Sequence, residues 1–180
     1  MIPRLQTERL ILREFRAEDL DAFAAIVADP DVMRYLGGEV QSRNDAWSNM
    51  ARGAGQWLLR GYGTWAVMRK SDGAVMGRVG LVHPEGWPGV EVGWTLGKPY
   101  WGQGYATEAA QAALNYAFLT LPVPRMISLI DPDNTPSQAV AKRIGETQGE
   151  KHQMPIAGKV FHFHIWAITR EEWARRVKRA

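Results

Sequence analysis

Tyr100-Trp101-Gly102-Gln103-Gly104-Tyr105-Ala106-Thr107-Glu108-Ala109 lies near the middle of the chain, and the fold turns on how this stretch is read. Before it, Val90 to Leu96 reads as a strand. After it, a helix is expected from about Tyr105 to Leu121. Ala106, Ala110, Ala113, Leu114, Ala117 and Phe118 fall on one side of that helix, and Glu108, Gln111 and Asn115 on the other. A strand, a Gly-rich turn and a helix start make an anion site, because the turn's N–H groups and the unpaired N–H groups of the first helical turn converge. The helix dipole adds partial positive charge there. Gly102 and Gly104 let a phosphate approach and accept left-handed backbone angles. A dinucleotide fingerprint fails, since its third glycine would fall at Thr107. A P-loop fails because no Gly-Lys-Ser/Thr follows. A glycine turn serving only chain geometry stays open as the alternative.

The elements on either side give the order. Arg9 to Phe15 alternates polar and apolar, as a strand does. Glu18 to Ala28 places Leu20, Phe23, Ala24 and Val27 on one helical face, and Asp29-Pro30 is expected to stop it. Ser42 and Asp45 form a capping-box pattern. The helix behind it is expected to carry Trp47, Met50, Ala51, Ala54, Trp57 and Leu58 on one stripe and to end near Gly61. Gly63 to Lys70 and Val75 to His83 read as a hairpin turning at Ser71-Asp72-Gly73. His83 to Gly89 is a loop.

Downstream, Met126 to Ile130 is a short apolar strand, Ser137 to Ile144 a short helix closed by Gly145. Thr147 to Met154 and Lys159 to Ile168 flank a turn at Ala157-Gly158. Thr169 and Glu172 cap a last helix. The result is a mixed α/β (α+β) chain with a largely antiparallel sheet and one strand–helix–strand unit at its centre.

At 180 residues, with 46% hydrophobic and 23% charged residues, the chain is expected to form one domain over residues 1–180. It has no cysteine, which excludes disulfides, thiolate zinc sites and a cysteine nucleophile. The N-terminal stretch has no apolar core of signal-peptide length, and no run approaches a membrane span. A cytoplasmic protein without a membrane partner is therefore expected. The net charge of +3 is spread along the chain, which argues against a nucleic-acid partner. His162 and His164 share a strand face, with His152 on the neighbouring strand, but no third ligand or carboxylate completes a set, so no metal is expected.

The central motif resembles the acetyl-CoA motif of the GNAT superfamily of N-acetyltransferases, Gln/Arg-x-x-Gly-x-Gly/Ala. Here it reads Trp101-Gly102-Gln103-Gly104-Tyr105-Ala106, with Trp101 in place of Gln or Arg. The longer string from Tyr100 is similar to the branch of ribosomal-protein N-terminal (alanine and serine) acetyltransferases. Thr7 to Arg13 looks like that branch's opening strand, and Glu91-Val92-Gly93-Trp94-Thr95-Leu96 like its fourth. Asn134 to Ser137, then Arg143-Ile144-Gly145, is similar to its Asn-x-x-Ser…Lys-x-Gly-Phe segment, with Glu146 where an aromatic is usual.

The resemblance implies a twisted sheet of about seven strands, four to five flanking helices, and a V-shaped split between the fourth and fifth strands. It implies acetyl-CoA as donor and direct attack by a primary amine in a ternary complex. Backbone groups of Trp94, Thr95 and Leu96 would pair with the pantetheine arm. Main-chain N–H groups of Gly102, Gln103, Gly104, Tyr105, Ala106 and Thr107 would hold the pyrophosphate, with Thr107 adding a hydroxyl. Asn134 would bond the pantetheine arm, and Lys142 or Arg143 would reach phosphate or adenine. Ser137 would hydrogen-bond the departing thiolate. Glu91 is the candidate base, because a strand glutamate beside a cleft can have a raised pKa. Plainer readings stand beside these. Glu91 is a surface carboxylate, Asn134 a turn residue, Ser137 a helix cap and Arg143 part of a solvated face.

Acceptor choice is expected to lie with the Trp47–Trp57 helix, the His83–Gly89 loop and the final hairpin. A peptide N-terminus and a small-molecule amine both fit, as does a monomer or a homodimer. A non-catalytic CoA-binding sensor or interaction module is the alternative function.

Overall fold

The computed structural model describes residues 1–156 and 158–178. Its elements are β1 (Leu5–Gln6), β2 (Leu10–Arg13), α1 (Leu20–Val27), α2 (Pro30–Met33) and α3 (Arg43–Arg60). They continue with β3 (Thr64–Arg69), β4 (Val75–Val82), β5 (Glu91–Leu96), α4 (Tyr105–Thr120) and β6 (Arg125–Ile130). The chain closes with α5 (Thr135–Ile144), β7 (Thr147–Ile156), β8 (Lys159–Thr169) and α6 (Arg170–Val177). One eight-stranded sheet runs β1-β2-β3-β4-β5-β6-β8-β7. The eighth strand, β1, is two residues long and too short for an alternation pattern to reveal.

Every pairing is antiparallel except β5 with β6. That parallel pair touches at one position, Glu91 opposite Ile127. By contrast β4 and β5 stay in register from Gly77–Leu96 to Val82–Glu91, and β6 and β8 from Arg125–Thr169 to Ile130–His164. The sheet therefore splits beyond Glu91, where the resemblance placed its V.

Two layers of helix cover the sheet. The alanines of α4 (Ala109, Ala110, Ala113 and Ala117) are fully buried and bring the helix close to Val79, Leu81 and Val92. Arg170 closes the end of α4 by donating to the carbonyls of Phe118, Leu121 and Val123. On the other face Phe23, Val27, Met33, Ala46 and Met50 form a second core beneath α1 and α3. The Ser42–Asp45 and Thr169–Glu172 capping boxes both form.

Asp29-Pro30 stops α1 as expected, at Val27, and also opens a short helix not foreseen: Asp29 caps α2 and Pro30 is its first residue. Two local expectations need correction. The buried stripe of α3 is Ala46, Met50 and Trp57, while Trp47, Ala51, Ala54 and Leu58 are exposed. The helix is turned so that Gly53 lies against Thr64, where a Cβ would stand 2.6 Å from Oγ1. α5 begins at Thr135 and not at Ser137. Of the expected Ala157-Gly158 turn, Ala157 lies outside the described residues.

Arg13 and Asp19 join the sheet to the start of α1. The guanidinium donates to both carboxylate oxygens at 2.7 and 2.8 Å, and Arg16 N–H adds a third bond at 2.8 Å. Burial alone would raise the Asp19 pKa, but Arg13 and the Arg16 N–H hold it below the usual carboxylate range. Asp19→Ala strands a buried guanidinium and is expected to cost about 3–5 kcal/mol in chemical denaturation. A loss under about 1 kcal/mol would show that the pair does not anchor α1.

Candidate active site

The Gly-rich turn leaves a run of N–H groups unclaimed at the start of α4. Gly102 and Gly104 have φ of 72° and 80°, left-handed values that glycine tolerates. No backbone bond claims the N–H groups of Gly102 to Thr107 among the described residues; the first α4 N–H to be bonded is that of Glu108, to Gly104 O. A Cβ at Gly102 would meet no protein atom within 4 Å, so the space above the turn is open.

Other side chains brace the turn. Trp101 Nε1 donates to Leu96 O at 2.7 Å, so this tryptophan ties the turn to the end of β5. Gln103 donates to Pro99 O. Arg9 donates to Gln103 O at 2.9 Å and to Glu108 at 2.7 Å, and lies 4.4 Å over the Tyr105 ring. The Tyr105 side chain is buried in the core. Sequence reading missed Arg9, whose partners lie almost a hundred residues away.

The register of β5 decides which backbone groups face the split. Gly97 N–H donates to Met76 O, and alternation then turns the Thr95 groups toward Arg78 of β4. Thr95 therefore does not offer its backbone to a pantetheine arm, contrary to expectation; its side chain lines the cavity instead. The even-numbered residues face β6, as Val90 O accepts from Ile127 N–H and Val92 O from Ser128 Oγ. Trp94 N–H and C=O and Leu96 N–H remain at the open edge, while Leu96 C=O is taken by Trp101.

Asn134 and Ser137 meet β5 across the split. Asn134 caps α5, its Oδ1 accepting from Ser137 N–H at 3.2 Å. Ser137 is thus not the cap. Its Oγ accepts from Trp94 Nε1 at 3.3 Å, and its own proton has no acceptor among the described residues. Arg143 is exposed on α5, and Lys142 lies 5.7 Å from the Trp166 ring.

A cavity of about 780 Å³ opens at the split. Its walls include α3, the loop after β4, and Phe161 and Phe163 of β8, with the unforeseen α2–α3 segment at Met33 to Gly37. Trp47 and Trp57 are not on it: Trp47 is exposed and Trp57 donates to Thr64 O in the core. His83 lines the cavity, within 3.3 Å of Tyr62 Oη.

Glu91 stands at the vertex. Its Oε2 accepts from Trp87 Nε1 at 2.6 Å, and its Oε1 reaches across the split to Leu129 N–H at 3.3 Å. It keeps some surface open to the cavity but is packed closely by protein. Burial pushes its pKa up to about 7, against the two donors and the charge of Arg78. The His152, His162 and His164 group is not assembled as a metal set: His164 bonds Gln148, and no group of three metal-ligating side chains occurs among the described residues.

A second carboxyl lies behind the first. Glu146, buried just before β7, has Oε1 3.1 Å from Ser128 Oγ and no partner for Oε2. Ser128 also sits 2.8 Å from Val92 O, which can only accept. The one hydroxyl proton of Ser128 is shared between Val92 O and Glu146 Oε1, so neither acceptor has a full bond from it. Burial, with a smaller push from Glu91, raises its pKa to about 8 despite the Ser128 contact.

A group held protonated in the fold and ionised in the unfolded chain loses stability as pH rises from its ordinary value toward its folded one. Wild-type protein is therefore expected to lose a few kcal/mol between about pH 5 and 9 through Glu146. Glu146→Gln should flatten that loss, with the two proteins most alike near pH 5. Parallel Tm-against-pH curves for the two proteins would refute a neutral Glu146.

Known proteins share this architecture. The family described as "Acetyltransferase (GNAT) domain" matches residues 9–147. The uncharacterized N-acetyltransferase YnaD of Bacillus subtilis (strain 168) is 30% identical over 171 residues, 94% of this chain and 98% of its own. The crystal structure of an acetyltransferase from Agrobacterium tumefaciens str. C58 superposes with a TM-score of 0.80 at 31% identity, covering 93% of this chain and 95% of that one. The ribosomal L7/L12 α-N-protein acetyltransferase RimL, in complex with coenzyme A, shares the fold at 17% identity and a TM-score of 0.76, covering 93% and 98%. With a family match over most of its length and relatives spanning nearly all of it, the chain belongs to the GNAT acetyltransferase family and transfers an acetyl group from acetyl-CoA to an amine.

Proposed function

We propose that Glu91 is the base of this transfer and Ser137 the group that receives the leaving thiolate. The observation that carries the reading is a carboxyl group at the vertex of the split whose pKa is raised to about 7. A base of that pKa is about half ionised at neutral pH and still strong enough to take a proton from the incoming ammonium or from the attacking amine, directly or through one water.

The donor is held by backbone. Trp94 N–H and C=O and Leu96 N–H continue the β5 ladder to the pantetheine arm, and the N–H groups of Gly102 to Thr107 cradle the pyrophosphate. Asn134 has amide protons to spare for the same arm, because only its oxygen caps α5. Arg143 is placed to meet an outlying phosphate from the exposed side of α5.

As the amine nitrogen bonds to the thioester carbon, its proton passes to Glu91. The carbon–sulfur bond then breaks, and the Ser137 hydroxyl, its oxygen held by Trp94 Nε1, turns its proton to the sulfur. No enzyme-bound acyl group is needed, and the chain has no cysteine to carry one.

The acceptor is a primary amine, of a protein N-terminus or a small molecule, bound in the 780 Å³ cavity. Its aromatic wall residues support an amine with an apolar body. Among the described residues no helix is long and apolar enough to cross a membrane. The lack of cysteine supports work in a reducing cytoplasm.

Activity should rise with pH through about 7 as Glu91 ionises. Glu91→Gln should lower kcat/KM by about 10²- to 10⁴-fold and remove that limb of the pH profile. The measurement is acetyl-CoA turnover against mixed peptides and small amines, read by mass spectrometry. An unaltered pH limb in the variant would take Glu91 out of the mechanism.

A further inference from the structure

The cavity holds a charge that the transfer chemistry leaves unused. Arg78 lies on the central strand β4, directly opposite Thr95 and on the sheet face that also carries Glu91. Its half-buried side chain lines the cavity. Among the described residues its side chain makes no hydrogen bond or ion pair, whereas Arg13, on the same sheet face, has Asp19. Arg52, from α3, lines the same cavity and is close enough for its charge to act on Arg78.

None of the acids on the walls makes an ion pair with Arg78 or Arg52 among the described residues: Glu91 accepts from Trp87 and Leu129, Glu85 lies at the exposed rim with Arg60, and Asp131 accepts from Asp133 N–H. Burial pulls the Arg78 pKa down, Arg52 adds to the effect, and the charge of Glu91 opposes it only in part. A guanidinium packed in such a place with no hydrogen-bond partner is costly to the fold, and a ligand anion would offset that cost. The pyrophosphate is not that anion, because residues 101–107 do not line this cavity. The planar fork of an arginine suits a carboxylate, which it can bind with two parallel N–H bonds.

We infer that Arg78, with Arg52 beside it, binds a carboxylate of the acceptor, so that the substrate is a small amine carrying its own carboxylate, an amino acid or a close relative. The inference rests on the acceptor site assigned above. The amine points to Glu91, the carboxylate to Arg78, and an apolar body packs on Trp87, Phe161 and Phe163. A free amino acid meets all three requirements, whereas a peptide N-terminus carries an amide where the amino acid carries its carboxylate.

The test uses matched pairs: amino acids with one to three carbons between amine and carboxylate, phenylalanine among them, each against its carboxamide. The carboxamide's amine loses its proton more easily, so chemistry alone favours the amide. Wild-type enzyme should prefer the carboxylate by about 10- to 100-fold in kcat/KM, the worth of a charge-assisted pair. Arg78→Gln should collapse that preference mainly through KM. Arg78→Lys should keep part of it, since the charge remains but the fork does not.

Acetyl-CoA affinity by calorimetry checks that each variant is folded with its donor site formed. Arg78→Gln should also raise Tm, because a strained charge has been removed. The same carboxylate preference in wild type and Arg78→Gln, or a wild-type preference for the amides, overturns the inference and leaves the transfer mechanism standing. Acetyl-CoA binding with no amine acetylated overturns the mechanism, and the inference with it.

Discussion

The structure depends on one constraint: β5 and β6 run parallel and pair only at Glu91 opposite Ile127. A strand with a neighbour along its whole length has no backbone groups to offer. By separating after one position, β5 leaves Trp94 and the Leu96 N–H unclaimed on one edge while β4 holds the other edge. The split is wide enough for residues from both faces of β5 to reach one cavity, Glu91 and Thr95 from one side and Trp94 from the other. Trp94 spans the opening to Ser137 of α5 and packs on both sides of it, so the two half-sheets stay attached without closing.

The same separation sets the electrostatics. At the vertex the sheet is tight enough to bury Glu91 but leaves the Leu129 N–H free to bond it. Burial outweighs that bond, and the carboxyl titrates near neutrality. Behind it, burial outweighs the Ser128 contact and raises the Glu146 pKa to about 8. Largely uncharged at neutral pH, Glu146 keeps a second negative charge away from Glu91. The two nearby carboxyls thus play different parts, one poised to ionise near neutrality and one pushed higher. Arg78, further along the same sheet face, and Arg52 on α3 add positive charge to the cavity lining.

The Gly-rich turn is braced by contacts its own glycines do not supply. Positive φ at Gly102 and Gly104 shapes it, but Trp101 ties it to Leu96 and Arg9 ties it to Glu108 and Gln103. Trp101 stands where relatives of the motif carry Gln or Arg. Its indole N–H does a backbone-bracing task that leaves the cradle's own N–H groups free for phosphate.

Much of this was legible in the sequence. Element order, both capping boxes, the Asp72-Gly73 hairpin, the α4 face and the Gly-rich turn depend on residues within a few positions of each other, and local propensity and periodicity report such relations directly. Glu91 could be placed on the cleft face by strand alternation. The errors fall where a distant partner decides. The buried stripe of α3 is set by the Gly53–Thr64 contact, the role of Thr95 by its register against Arg78, and the capping of α5 by Asn134 in place of Ser137. The neutral Glu146, the bracing Arg9 and the unpaired Arg78 were invisible for the same reason. A side chain's charge state depends on which groups surround it in space, and a linear chain does not specify those neighbours until the sheet has formed and split. The sequence alone determined the family, the donor and the frame; the tertiary structure decided which groups face the cavity and what charge they carry.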